Sequence, residues 1–455
     1  MYFLYSVALT VGFILLLPRF VLDAVRHGKY AAGFRERLGR LAAPEARGRP
    51  VVWLHCVSVG ETQAARPLVR SLVEQFPSHA LVVSTTTLTG QRLAREVFAD
   101  EAVSVFYFPF DWAWTVRRAL RAVNPATVLV LETELWPRFL RECRARRIPV
   151  ALVNGRISEK SFRRYKLIRS FIGRVLGDLS LAIMQSEADA ERIAALGLTR
   201  ERIRISGNIK FDASVEVRAE PFTDELRERF RLDDERPLIV AASTHAPEER
   251  IILEAFQKLR ATLPGRAPRL LIAPRHPERF AEVVALLDSC GMSWARRSDA
   301  HAPVSDPHAE VILLDSIGEL RGVYPLAALV FVGGSIAPTG GHNVLEPAAH
   351  AKCIVTGAHT SNFASIIRDF LEREALVQLP ALSREDAPLA LARVFQELLE
   401  DEDRRLLLGA RAHDALRESR GATARTIELL ADVLESASKN EDRQLPFGAH
   451  APTNI

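Results

Sequence analysis

Cysteine is scarce in this chain, with four in 455 residues. They stand at Cys56, Cys143, Cys290 and Cys353, far apart and with no C-x-x-C spacing. That dispersal argues against a zinc site and against a disulfide framework, and it suits a reducing compartment. Cys56 and Cys353 lie in apolar runs, where each reads as a small buried hydrophobe. The G-x-x-x-x-G-K-[ST] phosphate loop and the strict G-x-G-x-x-G fingerprint are also missing. Asp401-Glu402-Asp403 has a D-x-D form but sits in a charged helical stretch that reads as a solvated face, so no metal and no cofactor are expected. Large charge of one sign is lacking too: 60 Lys and Arg against 56 Asp and Glu leave a net +4. The basic residues fall in short clusters and not in one long stripe, so no nucleic-acid partner is expected.

Charge is absent altogether from Met1 to Leu17, and Pro18-Arg19 closes that run. It would make about 26 Å of helix, slightly short of the hydrocarbon thickness of a bilayer. There is no basic stretch before it and no A-x-A-like site after it, which argues against a cleaved signal. Arg19, Arg26, Lys29, Arg35, Arg37 and Arg40 all follow it, so the positive-inside rule places the body of the chain in the cytoplasm. A membrane anchor over 1–20 and a basic membrane-proximal linker over 21–49 are therefore expected. A helix lying in one leaflet, or docked on the domain, is the alternative.

Beyond the linker, continuous Val/Leu/Ile runs alternate with amphipathic helical patterns. The runs include Val51–Ser58, Ala80–Thr87, Val103–Phe110, Thr127–Glu132, Val150–Asn154, Leu181–Gln185 and Ile203–Ser206. Strands without polar alternation are covered on both faces, as in doubly wound parallel sheets. The pattern breaks over 213–225 and restarts with Leu238–Ser243, Leu270–Ala273, Val311–Leu314, Leu329–Val332 and Cys353–Val355. The fold class is thus α/β, with two Rossmann-like domains over 50–212 and 226–435 facing a cleft. The polar tail over 436–455 is expected to be disordered.

Candidate functional residues gather where strand runs end, which in open α/β sheets is the ligand side. Ser58-Val59-Gly60-Glu61 follows the first run. Its spacing is that of a capping box, and Glu61 near a helix start would also serve as a general base. Glu132-Thr133-Glu134 ends another run and could position a hydroxyl or satisfy local donors such as Arg156. Ser84 to Thr89 is rich in hydroxyls that could meet a sugar or cap a helix. Asn208-Ile209-Lys210 supplies a cation. In the second half, Pro274-Arg275-His276-Pro277 suits phosphate or carboxylate because Arg offers a fixed fork of donors; a structural ion pair is the alternative. Gly340-Gly341 before a helix start would leave backbone N–H groups open to an anion, with Glu346 one turn on.

Taken in order, these strings resemble the Kdo (3-deoxy-D-manno-octulosonic acid) transferase family. The match runs from Arg35-x-Arg37-Leu38-Gly39 to about Phe363. It takes in Ser58-Val59-Gly60-Glu61, Glu132-Thr133-Glu134-Leu135-Trp136-Pro137, Gly207-Asn208-Ile209-Lys210-Phe211 and Ser243-Thr244-His245. It continues through Pro274-Arg275-His276-Pro277-Glu278-Arg279-Phe280, Gly318-Glu319-Leu320, Gly333-Gly334-Ser335 and Gly340-Gly341-His342-Asn343. Departures include Gly155 for alanine, Pro247 for glycine and Arg138 for asparagine.

The resemblance implies a GT-B fold with an N-terminal anchor helix at the cytoplasmic leaflet of the inner membrane, no metal and no cofactor. It implies transfer of Kdo from a CMP-Kdo donor to a lipid A precursor acceptor, lipid IVA. It makes Glu61 the proton acceptor, where spacing alone favours the cap. Ser58, Gly60, Glu134 and Lys210 would line the acceptor and Kdo side. Pro274, Arg275 and His276 would hold phosphate, and Ile317, Gly318 and Glu319 the base. Gly341, Asn343, Val344, Leu345 and Glu346 would hold ribose and phosphate. Among relatives of the fold, a CMP-sialic-acid transferase, a nucleotide-sugar epimerase and an inactive membrane-tethered binding protein remain as other readings.

Overall fold

In a parallel strand that is covered on both faces, neighbouring side chains point into different layers, and the apolar runs of this chain do so. Trp53 packs into one layer with Phe106, Phe108 and Phe139. Leu54, the next residue, packs into the opposite layer with Leu68, Val83 and Ile183. The computed structural model describes residues 1–27, 33–213, 221–232, 236–263, 267–299 and 306–442, with backbone alone for 19–27, 221 and 436–442. These residues divide into two units, the first comprising Met1–Ala213 with the stretch from Ser419 on, the second Ser214–Glu418.

The first unit holds β1 (Val51–His55), β2 (Ala80–Thr85), β3 (Ala102–Tyr107), β4 (Pro125–Leu131), β5 (Val150–Gly155), β6 (Leu181–Met184) and β7 (Ile203–Ile205). Their order is β3-β2-β1-β4-β5-β6-β7 and every pairing is parallel. The order reverses between β1 and β4, so a crevice opens beyond the carboxyl ends of those two strands.

The second unit holds β8 (Leu238–Thr244), β9 (Arg269–Pro274), β10 (Trp294–Arg296), β11 (Val311–Leu313), β12 (Leu329–Val332), β13 (Cys353–Thr356) and β14 (Val377–Gln378). The order is β10-β11-β9-β8-β12-β13-β14, again all parallel. Here the reversal lies between β8 and β12. Ile239, Phe256, Leu270, Phe331 and Phe395 fill one of its core layers.

Several boundaries differ from the sequence expectation. The helix Ala422–Asp442 belongs to the first unit, not to the second domain expected over 226–435. Asp212 accepts from Gly421 N at 2.8 Å and Thr423 N at 2.6 Å, and Arg425 Nε donates to Ser206 O at 2.7 Å. Ile427, Leu430 and Leu434 then complete the layer around Leu54. A helix that returns to an earlier domain carries only an ordinary amphipathic pattern, so its sequence does not say which sheet it covers. The expected linker over 213–225 includes the start of the helix Pro221–Phe230, which packs on the second unit. There Thr223 Oγ1 donates to Gly322 O at 2.9 Å, and Arg229 pairs with buried Asp306 at 2.7 Å. Residues 214–220 of that linker lie outside the described residues. So do 443–455 of the tail expected to be disordered, whereas 436–442 continue the last helix.

The spanning form of the N-terminal anchor is not found. Tyr2–His27 is one helix, yet among the described residues no helix is long and apolar enough to cross a membrane. One face of it docks on the first unit. Tyr2 Oη donates to Asp178 at 2.6 Å and Tyr5 Oη to Asp111 at 2.9 Å, while Arg138 reaches Ser6 Oγ and Tyr2 O. Phe13 packs edge-on against Phe110 and Trp112. The opposite face exposes Phe3, Leu4, Val7, Val11, Ile14 and Leu15. The docked alternative therefore describes its first turns. Of the basic linker, 28–32 lie outside the described residues, and Arg37 is buried in the domain. It donates to Thr86 O at 2.6 Å and lies over the Tyr107 ring.

Candidate active site

In the first unit β1 ends at His55, and the chain turns through Cys56 and Val57 into the helix Val59–Gln75. Ser58 is the N-cap residue, but its side chain accepts nothing from the first turn. Its hydroxyl donates instead to Glu61 Oε1 at 3.1 Å, and Val57 N donates to Glu61 Oε2 at 2.7 Å. Neither reciprocal bond of the capping box expected from spacing is therefore made, and Glu61 is the group being held. Its side chain is buried while Gly60 beside it is exposed. Burial, and then the charge of Glu132, push the Glu61 carboxyl up to about 8, against the opposing Val57 hydrogen bond.

Glu132 stands one residue past β4, across the sheet's reversal from β1. Its φ is +54°, a left-handed conformation unfavourable for a residue with a long side chain. That kink breaks the extended geometry expected for Glu132-Thr133-Glu134. Glu132 pairs with Lys210 Nζ at 2.6 Å, with both side chains about four-fifths buried. Lys210 opens a short helix whose placement is local: Asn208 Oδ1 accepts from Lys210 N, and Asn154 Oδ1, at the end of β5, accepts from Ile209 N. Among the described residues Glu134 makes no such pair, and burial followed by the Glu132 charge raises its carboxyl to about 7.

Three hydroxyls of the turn after β2 are occupied internally. Ser84 Oγ accepts from Trp53 Nε1 and contacts His55 Nδ1, Thr85 donates to Gln91, and Thr87 caps the next helix at Gly90 N. Buried His55 stacks on Phe108 at 3.9 Å, and desolvation lowers its imidazole to about 3. It is a neutral structural group.

In the second unit Pro274 ends β9, and Arg275 and His276 stand exposed just beyond it. The ion-pair alternative falls on another residue: Arg279 makes the bonds to Glu249 and Glu282, while Arg275 has no side-chain partner among the described residues. Past β11, Asp315 is buried and paired with Arg296. Ile317 is four-fifths exposed, and Gly318 takes φ +90°. Glu319 is held bidentately by Arg297 at 2.9 and 3.0 Å, so what this turn offers a ligand is an apolar face.

The loop after β12 needs its glycines: Gly334, Gly340 and Gly341 all have positive φ. Gly341 N is taken by Gly334 O, and Leu345 N by Asn343 Oδ1. The helix that follows, Leu345–Ala349, is five residues long. The expected helix-start anion site is accordingly not a full one, and Glu346 pairs with Arg321 at 3.3 Å. Val344 and Leu345 are buried. Glu248 fills the amide cradle at Gly334–Ala337 (accepting from all four N–H groups at 2.7 to 3.1 Å) and also accepts from His245 N. Among the described residues no group of three or more His, Cys, Asp or Glu is placed to hold a metal ion.

Residues 32–213 match a family model described as 3-Deoxy-D-manno-octulosonic-acid transferase (kdotransferase). The chain is 35% identical over 436 residues to the 3-deoxy-D-manno-octulosonic acid transferase of Haemophilus influenzae, an alignment covering 95% of this chain and 99% of that one. The chain belongs to the 3-deoxy-D-manno-octulosonic acid transferase family. The enzyme of the same name from Bordetella pertussis is 34% identical over 407 residues, 88% of this chain and 91% of that one. Among solved structures, UDP-GlcNAc 2-epimerase from Neisseria meningitidis is similar with a TM-score of 0.57 at 11% identity, covering 85% of this chain and all of the other. At that identity the likeness shows the fold alone.

As a Kdo transferase the chain is a glycosyltransferase, and its geometry draws attention to three residues outside the set assigned from sequence. Glu132, not Glu134, is the acid paired with Lys210. The strand-end position carried that signal, but the backbone kink that turns Glu132 toward Lys210 did not show in the sequence. The others are His245 and His342, whose rings meet head to head after β8 and β12.

Proposed function

We propose that the chain transfers Kdo from CMP-Kdo to the tetraacylated lipid A precursor, lipid IVA, by a single inverting displacement. The observation that carries this reading is the held, buried Glu61 carboxylate beside the Glu132–Lys210 pair. A general base works best when its pKa lies near the working pH, and a value near 8 meets that condition. The acceptor hydroxyl attacks the anomeric carbon from the face opposite the phosphate and gives its proton to Glu61. The bond from that carbon to the phosphate oxygen breaks, and its electron pair leaves with CMP.

Kdo carries a carboxylate, and the Lys210 ammonium is the cation of the first unit suited to meet it. The negative charge that grows on the departing phosphate is matched by Arg275 in the second unit, and the exposed Ile317 side chain gives the cytosine ring an apolar seat. The apolar outer face of the N-terminal helix would lie on the cytoplasmic leaflet of the inner membrane as an interfacial helix, not a spanning one.

The test is a transfer assay in detergent with CMP-Kdo formed in situ, tetraacylated lipid A precursor and EDTA, with products resolved by mass. Lipid gaining one or more Kdo masses supports donor, acceptor and metal independence together. Intact CMP-Kdo beside unchanged lipid, with folded protein, would sink the acceptor assignment.

A further inference from the structure

His245 lies just past the end of β8 and His342 in the Gly341–Val344 loop after β12, on either side of the reversal in the second sheet. Their Nε2 atoms are 2.8 Å apart. The rings are 5° from coplanar with centroids 5.0 Å apart. That separation exceeds the nitrogen contact by only about two ring radii, so the nitrogens face each other in the ring plane. Such a contact requires one hydrogen between them. Two lone pairs would repel, and two N–H groups would collide. One imidazole is therefore the Nε2–H tautomer, and the other is protonated at Nδ1.

This meeting is built into the fold. Buried Glu248 accepts from His245 N on one loop and from Gly334 to Ala337 on the other. Gly341 N donates to Gly334 O, which ties the His342 loop to the same cradle. Ser243, at φ +55°, turns the chain so that His245 leaves the strand toward the reversal. His276 stands edge-on to His245 at 5.0 Å, beside exposed Arg275.

We propose that the His245–His342 pair is a proton-binding part of the nucleotide-phosphate site, taking up one proton from solvent when the phosphate binds. The proposal rests on the reading above that the second unit holds CMP. The added proton goes to the free Nδ1 of the donor imidazole, giving an imidazolium–imidazole pair with one positive charge and the Nε2–H···Nε2 bond intact. No other bond changes. The cation then faces a phosphate that passes from a singly charged diester to a doubly charged monoester as the sugar leaves.

The groups around the pair explain why the phosphate is needed. Burial first, and then the neighbouring His276, Arg279 and Arg275, oppose protonation; the buried Glu248 carboxylate is satisfied by backbone donors, and Glu249 is paired to Arg279. Those groups hold His342 near 3 and His245 below its ordinary value. A bound phosphate offsets those cations and raises the pair. The sign follows: the bound state has the higher pKa, so CMP affinity falls as pH rises through it.

Titration calorimetry of CMP into the full-length protein, in buffers of different ionisation enthalpy, reads the proton count directly. At about pH 7.5 a phosphate monoester, whose second pKa is near 6, is already doubly ionised, so uptake reports the protein. The expected result is uptake approaching one proton per CMP, abolished in both His245→Gln and His342→Gln. His276→Gln should keep the uptake while weakening CMP. Normal CMP binding with no proton uptake by the unmodified protein overturns the proposal, as does uptake that vanishes in His276→Gln alone. No CMP binding at any pH sinks the nucleotide reading itself. Should the two substitutions unfold the protein, nitrogen-15 shifts of the imidazoles decide: two neutral rings in the CMP complex overturn the proposal, one added charge supports it.

Discussion

The two units share a parallel, doubly wound layout, yet the strand-order reversals collect opposite chemistry. In the first sheet the ends of β1 and β4 gather Glu61, Glu132 and Glu134; Glu132 pairs with the Lys210 ammonium, and burial raises the other two acids. In the second, the ends of β8, β9 and β12 gather Arg275 and three histidines, while the nearby carboxylates are consumed by backbone donors or Arg279. Both reversals carry a strained non-glycine residue, Glu132 at φ +54° and Ser243 at +55°. Topology thus supplies a place, and the side chains decide whether it handles protons or anions.

The largest effect that separates the two should come from Glu61→Gln. Removing a general base typically costs on the order of 10²- to 10⁴-fold in rate, and CMP affinity, which the proposed function assigns to the second unit, should not move. Transfer at the unmodified rate would break the comparison by showing that the acid cluster is structural.

Next comes pH. Because the Glu61 carboxyl sits at about 8, kcat/KM should fall about tenfold per pH unit below that value and level off above it. Glu132 is the second cause of that rise, after burial, so Glu132→Gln should move the falling limb to lower pH. A profile unmoved by Glu132→Gln would show that the Glu132 charge does not reach the base.

Arg275→Ala should weaken CMP by roughly 1.5 to 3 kcal/mol, the range for a hydrogen bond to a charged group, because the side chain is exposed at a strand end. Arg279→Ala, which breaks the bonds to Glu249 and Glu282, should lower the melting temperature with a smaller loss of CMP affinity. Equal CMP affinity in Arg275→Ala and the unmodified protein, by calorimetry, would remove Arg275 from the phosphate site.

How much of this was legible in the sequence depended on what each feature rests on. Twelve strand runs read from apolar continuity reappear, because burial on both faces leaves that signature in all but the edge strands β3 and β7. Trp294–Arg296 and Val377–Gln378 were missed, being short edge strands with too few residues to show it. Motif order pointed to Glu61, Lys210 and Arg275, since strand-end residues keep their position whatever the local detail. Partner choice was not legible. Which acid meets Lys210, which arginine is left exposed, and which sheet the last helix covers all depend on backbone turns and packing that bring distant residues together. Arg138 shows the same limit: it stands out in sequence as a departure, and in space it clamps the N-terminal helix.

The smallest predicted effect concerns an apolar surface of the first unit. Exposed Phe3, Leu4, Val7, Val11, Ile14 and Leu15 form a continuous helix face whose opposite side is fixed by Tyr2 and Tyr5 to Asp178 and Asp111. If that face lies among lipid headgroups, each side chain is only partly removed from water, so Leu15→Gln should weaken binding to phosphatidylglycerol-containing vesicles by about 1 kcal/mol, or roughly fivefold. Phe3→Ser should act in the same direction. CMP binding should stay constant in both, because both residues belong to the first unit. Tyr5→Phe gives the needed contrast: it removes the hydroxyl held by Asp111 but adds no polarity outside, so it should loosen the helix without changing the character of its outer face. Unchanged vesicle binding in Leu15→Gln and Phe3→Ser, measured by co-sedimentation, would assign that face to some contact other than lipid and leave the charge contrast between the two sheets as the whole of the comparison.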